Sequence, residues 1–370
     1  MDSIERKKLA LALATLLVIM AALVNAVWVD ESHPLRSGDI AGGLARVFGS
    51  GGDAVPVSNE ADDSLIVVKE ESSAPAEDVG SSAPVETAGL SSPVEEAESS
   101  AAPVLVETAQ RQWSGGSILA NRRVLTFYGH PYDARMGILG ELSDGDLVAA
   151  LFNRAAMYEE FSDRPVQPAI HIISTVAQDN PGSDGLYRAR TDADVIQYYA
   201  DLAAQNDMLL FVDVQVGHSS VQDEIEAVMP FLTQPHVHLA LDPEFDMWDG
   251  SVPGDVIGSM SADEINYAQG VLSQIVAEQG GPNKILIVHQ FTPYMIGDKW
   301  SIVDDPNVDL VVDMDGFGSW DLKVKHYNMF VRDELLEYAG IKLFFTQDTP
   351  LMSPEDVMSL EPVPDVIIYQ

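Results

Sequence analysis

The sequence predicts an α/β fold, a (β/α)8 barrel of TIM type, over residues 117–370. Eight apolar strand-like runs alternate with seven amphipathic helical stretches, and each parallel pair of strands needs a crossover helix. Eight such units in about 250 residues match the size of a closed barrel. An open doubly wound sheet is the competing fold, but no G-x-G-x-x-G turn follows the first strand, which argues against dinucleotide binding.

The predicted strands are short runs of apolar and β-branched residues, at positions 124–128, 169–175, 208–216, 237–241, 285–289, 310–314, 341–346 and 366–369. The predicted helices lie at 147–161, 192–205, 221–232, 262–278, 293–303 (a weaker pattern), 322–338 and 354–360. The tetrads TDAD, SADE and SPED supply the Ser, Thr and acidic residues that begin helices. The sequence ends on the eighth strand, so we expect the segment before residue 124 to occupy the place of the last outer helix.

Residues 1–29 predict a membrane signal-anchor. Arg6, Lys7 and Lys8 precede an apolar run at 9–29, which at about 1.5 Å per residue can cross a hydrocarbon core of about 30 Å. Basic residues before the run and acidic residues after it place the following chain outside the cytoplasm. Cleavage after Ala26, giving a secreted protein, is the alternative. Residues 30–116 are rich in Ser, Ala, Pro and Glu and predict a disordered acidic linker.

The composition excludes several classes of function. With 58 acidic and 20 basic residues the formal charge is -38, so nucleic acid is not an expected partner. The absence of cysteine excludes disulfides, thiolate nucleophiles and Cys-ligated metals. The leading interpretation below requires no cofactor and no metal, and the sequence does not indicate an oligomeric state.

Carboxylates follow several strands, at the end of the barrel where active sites lie. Alternation along the third strand points Asp213 and Gln215 into the barrel, and on the fourth it does the same for Asp242 and Glu244. The sixth strand adds two more inward acids, Asp313 and Asp315. Burying charges without a function is costly. The convergence therefore predicts an active or ligand-binding site, although a satisfied polar network without activity is an alternative.

Further candidate binding residues follow the same strands or their loops. Tryptophans and tyrosines in these loops have flat faces on which sugar rings stack. The candidate substrate-binding residues are Tyr128, His130, Asp213, Gln215, His218, Trp248, His289, Gln290, Trp320 and Gln347.

Paired carboxyls near an aromatic rim favour glycoside hydrolysis, which needs one protonated and one ionised group. Glu244 is the predicted general acid, because it lies nearer the loops. Asp242 would tune its pKa or stabilise positive charge on the sugar. Asp313 or Asp315, across the barrel, would be the second carboxylate or would position water.

The segment HLALDPEF also carries a family resemblance. Asp242 and Glu244 form a D-x-E pair that resembles the muramidases of the Chalaropsis lysozyme type and the end of the D-x-x-D-x-D-x-E pattern of chitinase-like barrels. Ala240 stands where that longer pattern has an aspartate, and the muramidase motif of the first strand is not evident. The blocks DPE, VHQF and DGFG resemble exported bacterial barrel proteins of unassigned activity. These resemblances imply a barrel and, through the D-x-E pair, a polysaccharide substrate.

Two other functions fit the same residues. One is a metal-dependent hydrolase, in which His130, His218 and His289 join Asp213, Asp242, Asp313 or Asp315 around a divalent ion. The other is a tethered, non-catalytic module that binds polysaccharide.

Overall fold

A computed structural model describes residues 115–370, which contain a closed barrel of eight parallel strands. The strands pair in chain order, and β1 closes the barrel by pairing with both β2 and β8. They are β1 (Arg123–Gly129), β2 (Val166–Ala177), β3 (Leu209–Val214), β4 (Val237–Leu241), β5 (Lys284–Gln290), β6 (Val308–Met314), β7 (Tyr338–Leu343) and β8 (Val366–Tyr369). This confirms the predicted barrel and excludes the open doubly wound sheet.

Helices connect most of the strands on the outside of the barrel. They are α1 (Asp144–Glu159), α2 (Ala193–Gln205), α3 (Val221–Leu232), α4 (Ala262–Gln279), α5 (Trp320–Tyr327) and α6 (Pro354–Met358). Serine side chains cap α1, α3, α4 and α6, and the SADE and SPED tetrads form complete capping boxes.

Three predicted elements differ from the structure. No α-helix forms at 293–303, where the left-handed backbone of Asp298 separates a short strand, Ile296–Gly297, from the single turn Lys299–Ser301. The helix predicted at 322–338 changes to a π-helical turn at Asn328–Arg332. The seventh strand ends at Leu343, because the next amide, that of Phe344, donates to the Asp348 carboxylate.

The barrel interior has an apolar part and a polar part. Inward side chains pack in one apolar cluster, which includes Val124, Ala169, Leu209, Phe211, Ala240, Ile285, Ile287, Val311, Val366 and Ile368. Outward side chains form the larger core between strands and helices. The inward positions nearer the carboxyl ends of the strands are instead ionisable.

The segment before β1 closes the opposite, amino-terminal end of the barrel. Ile118 and Leu119 are buried in the interior apolar cluster, and the Ser117 hydroxyl donates to Asp309 at 2.7 Å. The expectation that this segment replaces the last outer helix is therefore wrong. Helices α1 and α6 contact each other at that position instead.

Within residues 115–370, no helix is both long and apolar enough to span a membrane. The predicted signal-anchor and most of the predicted linker, residues 1–114, lie outside the described residues.

Candidate active site at the carboxyl end of the barrel

His289 at the end of β5 is the centre of a buried network of ionisable groups. Its Nε2 lies 3.2 Å from Asp213 Oδ2, and its Nδ1 lies 2.8 Å from Asp313 Oδ1 and 3.6 Å from Asp315 Oδ2. His171 on β2 approaches the same Asp213 oxygen at 3.3 Å. Burial alone would lower the pKa of His289, but the charge of Asp313 and the contact with Asp213 raise it well above its ordinary value, which favours the imidazolium.

Lys342 on β7 is a second buried cation in this network. Its ammonium lies 3.1 Å from both oxygens of Asp315 and 3.8 Å from the centre of the Tyr128 ring. Burial alone would lower the pKa of Lys342, but the charges of Asp315 and Asp242 raise it above its ordinary value. Lys342 is thus a permanent counter-charge to Asp315.

Asp242 and Glu244 lie on a turn, and not on a continuation of β4. The strand ends at Leu241, and Pro243–Phe245 forms one 3-10 turn whose Glu244 amide donates to Asp242 Oδ1 at 3.2 Å. The Gln215 amide donates to the other Asp242 oxygen at 3.4 Å. The strand alternation from which both side chains were predicted to point inward therefore does not extend to Glu244. Asp242 is buried, whereas Glu244 stays partly exposed.

The carboxyl groups of this network differ in their pKa values. Burial, with the nearby charges of Asp242 and Asp315, raises the pKa of Glu244 to about 8. Burial also raises the pKa of Asp242 to about 7, although His289 opposes the shift. Burial would raise the pKa of Asp213 as well, but contacts with His171 and His289 hold it well below its usual range. At neutral pH the mouth therefore holds a protonated Glu244 close to ionised groups.

Two sets of side chains have the composition of a metal site. In one set, His171, Asp213 and His289, the candidate ligand atoms lie within 4.8 Å of one another, and the same holds for His289, Asp313 and Asp315. His130 and His218, which the metal hypothesis required, are engaged elsewhere, with Thr191 at 3.1 Å and the Ser251 carbonyl at 2.7 Å. An ion held by either set would use His289, with His171 as a further ligand in the first set only.

Several predicted binding residues already have partners within the protein. The Gln215 side chain accepts from the Ala177 amide and donates to Asp242. Gln290 accepts from Lys299 at 2.8 Å and donates to the Thr292 carbonyl. Gln347 is exposed, and its side-chain oxygen accepts from the Thr346 hydroxyl at 2.7 Å. Gln215 and Gln290 thus fix the walls of the mouth, and Tyr128 lies beneath Lys342.

Large aromatic side chains are exposed on the loops that follow β1, β4 and β5, and at the start of α5, which follows β6. The exposed fractions are 74% for Tyr132, 79% for Trp248, 74% for Tyr294, 69% for Trp300 and 39% for Trp320. The Trp248 indole donates to the Ser259 hydroxyl at 3.0 Å, which fixes the ring while leaving a face open. Because these loops leave the carboxyl ends of the strands, the aromatic side chains surround the same end of the barrel as the acids.

Two members of the network, His171 and Lys342, were missed by reasoning from the sequence. Both are inward residues inside strands, at 0% and 3% exposure, whereas the predicted site residues lie at strand ends or in the loops that follow. The signal was available in the sequence. A histidine in AIHII and a lysine in GIKLF interrupt apolar runs at positions where alternation points inward.

Comparison with known proteins assigns no family. No family model matches the chain, and no curated protein matches it. Among solved structures, the crystal structure of a ruminal GH26 endo-beta-1,4-mannanase is similar at 10% identity and a TM-score of 0.32, covering 71% of this chain and 60% of that one. The chain thus spans less than two thirds of that protein, and at this TM-score the likeness carries no information about activity.

Proposed function

We propose that the barrel is a glycoside hydrolase that uses carboxylate acid/base catalysis, with Glu244 as the general acid. The observation that carries the proposal is a partly exposed carboxyl with a pKa of about 8 beside ionised carboxylates. A general acid must be protonated at working pH and accessible to the leaving-group oxygen. Glu244 meets both conditions.

The second carboxylate in this proposal is Asp315. Asp313 is fully buried, and a Cβ on the neighbouring Gly340 would lie only 2.4 Å from the Asp313 Cβ, so no sugar can reach it. Asp315 lies nearer the loops. Burial raises the pKa of Asp315, but Lys342 and His289 oppose the shift. Protonating it would leave the buried Lys342 without its partner, which favours the ionised form.

The remaining groups of the mouth support these two residues. Asp242 accepts a hydrogen bond from the Glu244 amide, and its charge raises the pKa of Glu244. Neither His289 nor Lys342 is exposed, so both act on Asp315 electrostatically. The exposed Trp248 and Trp320 would hold sugar rings beside the acids, because the flat aromatic rings can stack on the apolar faces of sugars.

The proposed substrate is an extracellular or cell-wall polysaccharide. The proposal of an extracellular substrate rests on the N-terminal sequence. Its basic residues and apolar run predict a membrane-tethered or secreted protein with its C-terminal domain outside the cytoplasm. The proposal of a polysaccharide also rests on the loop aromatics, which suit neutral sugar faces.

The test is hydrolysis of a glycan panel that includes peptidoglycan and amino-sugar polymers. We expect the parent protein to cleave at least one glycan and Glu244→Gln to lower kcat by about 10²- to 10⁴-fold with folding intact. Activity should fall above about pH 8, where Glu244 loses its proton. Glu226→Gln, an exposed glutamate on α3, is the matched control and should be fully active.

Other outcomes of this panel would contradict the proposal. Glycan binding without cleavage by the parent would favour the non-catalytic binding module. Cleavage that survives in Glu244→Gln would remove Glu244 from the role of acid.

A metal-dependent hydrolase is the second candidate, because two sets of potential ligands converge on His289. Against it, Lys342 already neutralises Asp315. The charge of Asp313 and the contact with Asp213 also raise the pKa of His289 against the effect of burial, and a protonated ring nitrogen has no lone pair for a metal. The acid/base proposal predicts that a chelator changes neither Tm nor activity. A loss on chelation that Zn²⁺, Mg²⁺ or Ca²⁺ reverses would favour the metal enzyme.

A further inference from the structure

The segment that carries Glu244 is hydrogen-bonded on both sides to the backbone of other parts of the mouth. On one side, the Gly217 amide donates to the Phe245 carbonyl at 2.8 Å, and the Met247 amide donates back to the Gly217 carbonyl at 3.1 Å. On the other side, the Gly258 amide donates to the Glu244 carbonyl at 2.7 Å. Residues 243–247 are therefore the middle of three hydrogen-bonded segments.

This arrangement continues around half of the barrel mouth. The His218 amide donates to the Leu186 carbonyl at 2.8 Å, which joins the loop after β3 to the loop after β2. The Met260 amide donates to the Met295 carbonyl at 2.9 Å, which joins the loop after β4 to the loop after β5. The backbone of Glu244 therefore lies within a continuous wall of four loops.

Both residues that flank the segment are glycines without space for a side chain. A Cβ on Gly258 would lie 2.5 Å from the Asp246 carbonyl oxygen and 2.8 Å from that of Glu244. Gly217 has a φ of +67°, and its Cβ would lie 2.7 Å from the carbonyl oxygens of Leu186 and Tyr187. These neighbours are backbone atoms, so no side-chain rotation can relieve the clash. A side chain at Gly258 would therefore displace residues 243–247 directly, and one at Gly217 would displace Gly217 from residues 186–187 and disturb its two hydrogen bonds to the segment.

We propose that Gly217 and Gly258 are positioning residues, which set the place of the Glu244 carboxyl relative to Asp242 and Asp315 by fixing its backbone. Neither glycine has a side chain that could contact a substrate, so both act through Glu244. The predicted effect on rate rests on the proposed function. The predicted effect on the titration of Glu244 is independent of the proposed function.

The experiment compares Gly258→Ala with the control Gly297→Ala. Gly297 lies in the loop after β5, and its Cβ would meet no atom closer than 3.8 Å. For each protein, kcat, KM and the titration of Glu244 by carboxyl ¹³C NMR are measured. We expect Gly258→Ala to lower kcat by about 10- to 100-fold with KM within about twofold, and to shift the Glu244 titration. Gly297→Ala should match the parent in all three.

The outcomes separate this inference from the proposed function. If the parent cleaves no glycan, the proposed function fails, and the Glu244 titration alone decides whether Gly258 positions that residue. A titration and kcat unchanged in Gly258→Ala would overturn the inference. If that variant does not fold, Gly217→Ala carries the same measurements, and failure of both to fold would overturn positioning in favour of a purely structural role.

Discussion

At the residue scale, Lys342 is the cation that balances Asp315 inside the barrel. Both side chains are almost fully buried, and the ammonium contacts both carboxylate oxygens at 3.1 Å. Removing one partner of a buried ion pair typically costs about 3–5 kcal/mol, because the other charge stays without compensation. We expect Lys342→Met to lower the free energy of unfolding by that amount, as measured by chemical denaturation.

A control and a double variant make this prediction specific. Lys325 on α5 is exposed, so Lys325→Met should change stability by less than about 0.5 kcal/mol. Adding Asp315→Asn to Lys342→Met should recover much of the lost stability, since no buried charge then stays unpaired. Equal stability of Lys342→Met and the parent would show that Asp315 does not depend on this cation.

The sequence was informative about inward carboxylates and less informative about cations. Strand alternation placed Asp213, Asp242, Asp313 and Asp315 inside the barrel, and the structure places them there. The choice between Asp313 and Asp315 could not be made, because it depends on how closely Gly340 of the next strand approaches Asp313. That contact follows from register across the barrel, which a single sequence does not encode locally.

At the element scale, Glu224 on α3 anchors an extension of β2. The short strand Arg188–Arg190 pairs antiparallel with the end of β2. The fully buried Glu224 carboxylate accepts from Arg188 Nε and Arg190 Nε, each at 2.8 Å, and from the Thr175 hydroxyl at 3.0 Å. One side chain thereby ties a hairpin at the barrel mouth to an outer helix.

We expect Glu224→Gln to loosen this hairpin. A neutral amide weakens the three charge-assisted hydrogen bonds that Arg188 and Arg190 donate to this carboxylate. It also removes the ion-pair partner of Arg190, whereas Arg188 keeps Asp184 at 2.9 Å. Arg190 is partly exposed and can be solvated, so a loss of about 2 kcal/mol is expected. Hydrogen exchange should accelerate at residues 176–190 more than in the barrel strands.

Glu226, an exposed glutamate two residues further along α3, provides the comparison for this variant. Glu226→Gln should leave exchange at residues 176–190 unchanged. Unaltered exchange in Glu224→Gln would mean that backbone pairing alone holds the hairpin.

The hairpin and the helix boundaries show where prediction of elements failed. Three residues, Arg188–Arg190, are too short for a periodic signal, and the carboxylate that their arginines contact, Glu224, is distant in sequence. The apolar spacing at 293–303 fits a helix, yet Asp298 takes a left-handed conformation there. Long periodic segments such as 221–232 and 262–278 were predicted closely, because their apolar faces pack on the strands.

At the scale of the whole molecule, raised carboxyl pKa values make stability fall as pH rises. The pKa is about 7 for Asp242 and Asp246 and about 8 for Glu244, with burial as the first cause of each. In the unfolded chain these groups ionise near pH 4, so between about pH 4 and pH 8 the folded state binds more protons. Their stabilising contribution is complete below pH 4 and is lost as pH rises through 7 to 8.

We therefore expect the free energy of unfolding to fall by roughly 2 kcal/mol or more between pH 5 and pH 9. The double variant Asp242→Asn, Glu244→Gln removes two of the responsible groups and should flatten the profile. Urea denaturation at several pH values measures both. A double variant whose profile is the same as that of the parent would mean that Asp242 and Glu244 ionise normally in the folded state.

The barrel as a whole was predictable because eight alternating units have few other ways to bury their apolar faces. The closure of the amino-terminal end of the barrel was not predictable. Ile118 and Leu119 lie outside any periodic pattern, and the opening that they fill exists only once the barrel is closed. The segment before β1, residues 117–119, and the acids thus lie at opposite ends of the barrel.

The most direct measurement is the titration of Glu244 in the parent protein by carboxyl ¹³C NMR, with Glu244→Gln to assign the signal. The acid/base proposal requires Glu244 to hold its proton at neutral pH, and the structure predicts a midpoint of about 8. A midpoint at or below about 5, near the value of an ordinary glutamate, would contradict the assignment of Glu244 as the general acid.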